Sequence, residues 1–170
     1  MIIIGIDPGI EKIGYGIIEK HNLKKEDPEV LDYGCITTSR FLKKEERLKK
    51  ISLDITRLLK KYKPGIMAVE SLFFFKNLKT AISVSEAKGV ILLAAASHKI
   101  PVQEFTPLQV KMTVVGYGRA EKKQVQEMVK KCLNLKNFNK KEKDREKDDA
   151  ADALGIALCV FFNNRLLDLK

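Results

Sequence analysis

Cysteine and histidine are scarce in this chain: three cysteines and two histidines among 170 residues. Cys35, Cys132 and Cys159 lie far apart with no Cys-x-x-Cys spacing. They cannot all pair, and they do not form a zinc ligand set. Reduced thiols in a cytosolic protein are the natural reading. His21 and His98 fall outside every motif described below. Long apolar runs are also missing. No stretch approaches the roughly 18 apolar residues needed to span a bilayer, so no membrane partner is expected. Residues 89–97 form the nearest candidate, which is too short and reads as buried helix. Residues 1–6 are apolar but lack a basic lead-in and are interrupted at once by Asp7. They read as a strand and not as a signal peptide. There is no internal repeat, and the length fits a single domain.

Positive charge is abundant. Lys and Arg number 32 against 22 acidic residues, a formal net charge of +10. A protein this basic usually meets a polyanion, and nucleic acid is the commonest one. The charge is concentrated. Residues 111–147 hold twelve basic and five acidic side chains, +7 of the total. A field concentrated in this way suits phosphate neutralisation better than general solubility. Hydrophobic residues make up 45% of the chain, enough to bury a core.

Hydrophobic patterning predicts the elements. Residues 2–6 form a β-branched run of the kind buried on both faces. Asp7-Pro8-Gly9 then turns the chain. Ile13, Tyr15 and Ile17 mark a second strand, and Leu31, Tyr33 and Cys35 a third. A helix is predicted from about residue 39 to 62, with Leu48, Ile51, Ile55 and Leu58 as its apolar stripe. Lys63-Pro64-Gly65 stops it. A short buried strand, 66–69, ends at Glu70. A helix over about 79–98, a strand over 102–105, and helices over 108–115 and 121–133 follow. Residues 134–145 read as a polar, mobile loop, and the last helix as about 147–163. This order predicts an α/β fold with a mixed five-stranded sheet flanked by helices.

Four carboxylates stand out. Asp7 and Glu70 each end a buried strand, where an α/β sheet leaves its edge open to ligands. Asp149 and Asp152 are three residues apart among alanines, hence on one helix face. They are placed in the first turns of that helix, where its dipole favours anions. Asp148 reads as a cap. The alanines would let the helix pack closely on the sheet. Clustered carboxylates repel one another unless a cation compensates. An all-oxygen set prefers Mg²⁺ or Mn²⁺ over zinc. Such a set predicts phosphodiester cleavage by a two-metal route.

The motifs in order are Asp7-Pro8-Gly9 with Gly14-Tyr15-Gly16, Val69-Glu70-Ser71-Leu72-Phe73, Ala87-Lys88-Gly89-Val90, Pro107-Leu108-Gln109-Val110-Lys111, Gly116-Tyr117-Gly118-Arg119-Ala120-Glu121-Lys122 and Asp149-Ala150-Ala151-Asp152-Ala153-Leu154. In this order and spacing the chain resembles the bacterial RuvC Holliday-junction resolvases over nearly its whole length. The resemblance implies one ribonuclease-H-like nuclease domain over residues 1–170. It implies a homodimer that nicks two strands of four-way junction DNA symmetrically during recombination and repair, in the cytoplasm, beside the RuvA and RuvB branch-migration proteins. It implies Mg²⁺, two ions per subunit, with Mn²⁺ as a substitute. Asp7, Glu70, Asp149 and Asp152 match the family's catalytic, metal-binding acids. Phe73 matches an aromatic that stacks on a base at the opened crossover. Lys111 and Lys122 match basic DNA-contacting residues, and Arg119, in the same motif, joins them as a candidate DNA contact. Base stacking is worth ~1–3 kcal/mol per base, which gives Phe73 a reason to face DNA. The helix faces near Ile82 and Leu93 suit either a dimer interface or the core.

Three other readings compete. One is a YqgF-type RNA-processing nuclease of the same fold group. Another is an ATP-binding protein of the actin and sugar-kinase group, which also opens with an Asp-x-Gly turn but normally has two such domains. The last is a basic DNA-binding module whose acids are structural.

Overall fold

The computed structural model describes residues 1–21, 27–71, 78–135 and 144–167. The elements in chain order are β1 (Ile2–Asp7), β2 (Lys12–Glu19), β3 (Glu29–Thr37), α1 (Lys44–Tyr62), β4 (Ile66–Glu70), α2 (Leu78–Ser97), β5 (Val102–Phe105), α3 (Pro107–Val115), α4 (Lys122–Cys132) and α5 (Asp144–Leu167). One five-stranded sheet runs β3-β2-β1-β4-β5. β1, β2 and β3 pair antiparallel, whereas β1 with β4 and β4 with β5 pair parallel. The sheet is therefore mixed, as expected: a meander on one side and crossover units on the other.

The sheet is covered on both faces, and the two-residue period of each strand sorts its side chains between two cores. Ile4, Ile6, Ile13, Ile17, Met67 and Val69 face α1 and α2, together with Ile51, Ile55, Leu59, Ala87 and Ile91. Ile3, Ile18, Ile66, Ala68 and Phe105 face α5, with α3 and α4 behind it. The burial of β1 and β4 on both sides accounts for their unbroken apolar runs.

Local chemistry sets the helix ends. α1 starts at Lys44, five residues later than the periodicity alone predicts. Glu46 accepts a hydrogen bond from the Lys43 backbone N–H at 3.1 Å, which satisfies a free donor and fixes the first turn there. Lys63 ends α1 in the left-handed region (φ 47°), just before Pro64. α3 opens on Thr106, whose hydroxyl accepts from the Gln109 backbone N–H at 3.1 Å, with Pro107 in its first turn. It closes at Gly116 (φ 77°), a conformation glycine adopts without steric cost. α5 begins at Asp144, not near 147, so Asp144 and Arg145 belong to the helix and not to a loop. Residues 136–143, the rest of that predicted mobile loop apart from Asn134 and Leu135, lie outside the described residues.

Glycines decide how closely α5 approaches the sheet. Gly5 on β1 and Gly14 and Gly16 on β2 all sit beneath it. A Cβ on Gly5 would run into the Ala153 carbonyl oxygen and come within 2.9 Å of Ala157 Cβ. One on Gly14 would meet the Asp149 carbonyl, and one on Gly16 would lie 2.7 Å from the Leu154 side chain. With Ala150, Ala151, Ala153 and Ala157 buried above these glycines, the helix backbone rests almost directly on the strands.

Candidate active site

Strand parity aims two of the acids. Ile3 and Gly5 face α5, so Asp7, two residues on, faces it too. Ile66 and Ala68 face α5, so Glu70 does as well. β1 and β4 pair in parallel with Ile6 opposite Val69, and their next residues, Asp7 and Glu70, leave the sheet side by side. The glycine track seats α5 over the same end of β1 and β2, with Asp149 directly above Gly14. Asp149 and Asp152 thereby meet the strand acids, although they come from opposite ends of the chain.

The electrostatics report the meeting. Burial, then Glu70, Asp152 and Asp149, hold the Asp7 carboxyl well above the ordinary carboxylate range. Burial and Asp152 push Glu70 up, against a hydrogen bond with Asp7 and the charges of Lys122 and Lys88. Burial also raises Asp152, opposed by Lys122. Negative charge is therefore crowded in a poorly hydrated place, the condition that calls for a cation.

The protein supplies part of that positive charge. Lys122 Nζ lies 2.7 Å from Asp152 Oδ2. Burial works against the Lys122 ammonium, but Asp152, Asp148 and Asp149 outweigh it and raise its pKa. Lys12 Nζ lies 4.0 Å from Asp149 Oδ2, and Cys35 Sγ 3.9 Å from the same oxygen. Among the described residues, no three acidic, imidazole or thiol groups surround an ion as the side chains now lie. The donor set is nonetheless all carboxylate oxygen apart from the weak Cys35 contact, and it fits a hard cation such as Mg²⁺ or Mn²⁺.

A cavity of about 190 Å³ opens beside the acids, lined by Glu70, Asp152, Lys111 and Lys122 over an apolar floor that includes Val110 and Val125. Lys111 and Lys122 thus both reach the site. Arg119 is exposed on the turn between α3 and α4, and no described contact ties it to the acids. Phe73, like Phe74 and Phe75, lies outside the described residues.

Two sequence expectations change. Asp148 is not a cap: it lies inside α5 and its Oδ1 accepts from Gln126 Nε2 of α4 at 3.1 Å. Because α5 starts at Asp144, Asp149 and Asp152 are its sixth and ninth residues. They sit past the first turn, where the dipole has largely faded. Neighbouring ammonium groups, and not the helix end, offset their charge.

The match to known proteins agrees with this geometry. The family profile described as "Crossover junction endodeoxyribonuclease RuvC" matches residues 3–160. The chain belongs to the RuvC family. The RuvC of Fusobacterium nucleatum is 50% identical over 166 residues, covering 98% of this chain and 82% of the relative. Two solved structures overlay with a TM-score of 0.85, each covering 98% of this chain and 96% of the other. One is described as "Thermus thermophilus RuvC structure" (32% identical), the other as "T. thermophilus RuvC in complex with Holliday junction substrate" (33% identical). The fold is accordingly ribonuclease-H-like, and the activity class is that of a crossover junction endodeoxyribonuclease, a metal-dependent nuclease. The YqgF-type reading is not favoured, because profile and relatives alike are junction endonucleases.

Sequence reasoning missed three features of the site. Gly14 and Gly16 read as ordinary strand alternation, yet with Gly5 they set the height of α5. Lys12 belongs to none of the motifs; its place at the end of the β1–β2 hairpin nearest Asp7 is the available signal. Lys88 stood inside a quoted motif without a role, and only its burial distinguishes it.

Proposed function

We propose that this chain resolves four-way DNA junctions by Mg²⁺-dependent hydrolysis of two phosphodiesters, using Asp7, Glu70, Asp149 and Asp152. The observation that carries this reading is the charge crowding at Asp7, raised by burial and by three other carboxylates. Those four side chains would hold two Mg²⁺ ions, with Mn²⁺ as a substitute. When bound, such ions supply an acidified water and neutralise charge at the leaving oxygen.

The chain's own residues do the rest. Asp7, the most central acid, bridges the strand pair and the helix pair. Lys122 gives up Asp152 as the site fills and turns its ammonium to a phosphate, alongside Lys111 in the same cavity. Arg119 extends the basic surface along the DNA, and Phe73 follows Glu70 closely enough in sequence to stack on a base at the crossover. The chain works as one nuclease domain.

A junction has approximate two-fold symmetry, so a homodimer presents two sites to matching strands. The outer face of α2 suits that contact. Ile82 is 60% exposed and Leu93 67%. Gly89 lies between them with open space above it. RuvA and RuvB are the expected partners, in the cytoplasm. Among the described residues no helix is long and apolar enough to cross a membrane.

The deciding experiment mixes the protein with a synthetic four-way junction, a linear duplex of matched sequence and a structured RNA, each with and without Mg²⁺. Paired nicks at symmetric positions on the junction alone, lost on chelation, are expected. Cleavage of the RNA in preference, or junction binding without scission, would overturn the reading.

A further inference from the structure

Lys88, at 9% exposure, is the least exposed charged residue among those whose side chains are described. Burying an ammonium sacrifices its hydration, so its partner should explain it. The partner is Glu104 on β5, whose Oε2 lies 2.5 Å from Lys88 Nζ. The Glu104 side chain is 44% exposed against 11% for Lys88, so the ammonium is the more desolvated partner.

Its location suggests another role. Lys88 sits on α2, beside Ala87, which packs on the sheet face opposite α5. It approaches the end of β4 from behind, away from the cavity that Lys111 and Lys122 line. The same Glu104 oxygen accepts a hydrogen bond from Ser71 Oγ at 3.3 Å. The Ser71 backbone N–H donates to the Phe105 carbonyl at 2.8 Å. Glu70 itself pairs in register with Phe105. The residue after Glu70 is thus tied twice to β5, and one of the two ties is anchored by Lys88.

We propose that Lys88 is a positioning residue for Glu70: held against Glu104 behind the sheet, it fixes the exit of β4 so that Glu70 is aimed at Asp7. This inference rests on the reading of the four acids as a cation site. Lys88 also sends positive charge toward Glu70 against the effect of burial. Unlike Lys122, it does not line the cavity beside the acids.

Removing a residue that orients a metal ligand typically changes metal affinity or activity by about 10–100-fold. Lys88→Met keeps the buried volume and returns Glu104 to water. Mn²⁺ binding to the DNA-free protein, followed by electron paramagnetic resonance, should weaken about tenfold. The Mg²⁺ concentration for half-maximal cleavage should rise about as much. Junction affinity without divalent ions should stay within about twofold, since Lys88 does not share the cavity that Lys111 and Lys122 line. Lys88→Arg should restore most of the loss, and Glu104→Gln, at a half-exposed position, should reproduce it should Lys88→Met fail to fold. Unchanged Mn²⁺ and Mg²⁺ titrations in Lys88→Met and Glu104→Gln would overturn the proposal. So would a parallel loss of junction affinity, which would make Lys88 a DNA contact, or a fall in melting temperature that Lys88→Arg does not repair. A parent protein that binds no Mn²⁺ and does not cut would instead remove the cation site itself.

Discussion

Gly5→Ala tests whether the height of α5 over the sheet governs catalysis. The added methyl would meet the Ala153 carbonyl oxygen, lie 2.7 Å from Ala157 N and lie 2.9 Å from Ala157 Cβ. All three are backbone or backbone-attached atoms, so no side chain can swing aside. Carbon atoms in contact prefer about 3.5–4.0 Å. The helix must therefore lift by roughly 1 Å, or the strand must bow away by as much. Overpacking of this kind costs about 1–3 kcal/mol. The chemical cost is larger in proportion, because Asp149 and Asp152 ride on the displaced helix. A misplacement of about 1 Å can lower the rate about 100-fold.

The assay compares cleavage of a four-way junction with the thermal melt of the same preparation, at a temperature where the variant is fully folded. A loss of about 100-fold in cleavage, with junction binding without divalent ions close to the parent's, is expected. Gly155→Ala is the internal control on the same helix. Its Cβ would meet only Val129 Cγ2 at 3.4 Å and Val110 Cγ1 at 3.6 Å, ordinary contacts. Replacing a helical glycine there should add about 0.5–1 kcal/mol of stability. If Gly5→Ala cuts at the parent rate, or if the two alanines behave alike, the glycine track does not position the acids.

Further outcomes follow from the same geometry. Asp7→Asn should lower junction cleavage by about three orders of magnitude or more, the scale seen when one member of a set acting as a unit is lost; normal cutting would remove Asp7 from the site. Because the folded-state pKa of Asp7 is raised above its unfolded value, its ionisation costs the cation-free fold stability as pH rises through and above the ordinary carboxylate range. The melting temperature of Asp7→Asn without divalent ions should therefore exceed the parent's at neutral pH and converge with it in acid; the reverse order would contradict the crowding. Lys122→Ala should flatten the dependence of log junction affinity on log salt by about 0.9, one phosphate's worth; an unchanged slope returns Lys122 to an internal partner of Asp152. Cys159 should resist thiol reagents in the native protein, because burial pushes its thiol up to about 12; labelling at the rate of a free thiol would mean that α5 opens readily.

The two kinds of legibility in this chain have different physical origins. Strand ends, helix faces and the parity that aims Asp7 and Glu70 are local properties of backbone period, so residues 2–6 and 66–69 expose them directly. The Asp149/Asp152 pair is equally local. The meeting of these acids is not, since it depends on a helix more than 130 residues from β1 settling onto Gly5, Gly14 and Gly16. A strand glycine looks the same whether it lies under solvent or under a helix backbone. Helix starts were blurred for a related reason. The start of α1 is held by Glu46 reaching back to the Lys43 N–H, with no conventional cap residue, and α5 begins in a charged stretch that reads as loop. Lys88 was hidden because lysines are almost always exposed, and only the tertiary position of Glu104 makes this one an exception.

These features share one charge balance. The core side of the site is rigid: β1 and β4 are buried on both faces, and α5 lies against glycine and alanine. The acids therefore cannot relax their repulsion by moving apart at small cost, as carboxylates on a loop would. Relief has to come from protons, from ammonium groups or from added cations. Protonation is the route seen in the raised pKa of Asp7, Glu70 and Asp152, and Lys122 on Asp152 is the second. Both are reversible placeholders that a divalent ion can replace, and replacing the second frees an ammonium beside the cavity where a phosphate would lie. Cation loading and DNA capture are then coupled through a single side chain. Lys122→Ala should consequently tighten Mg²⁺ binding in the absence of DNA while weakening the junction complex, and weakening of both together would break that coupling.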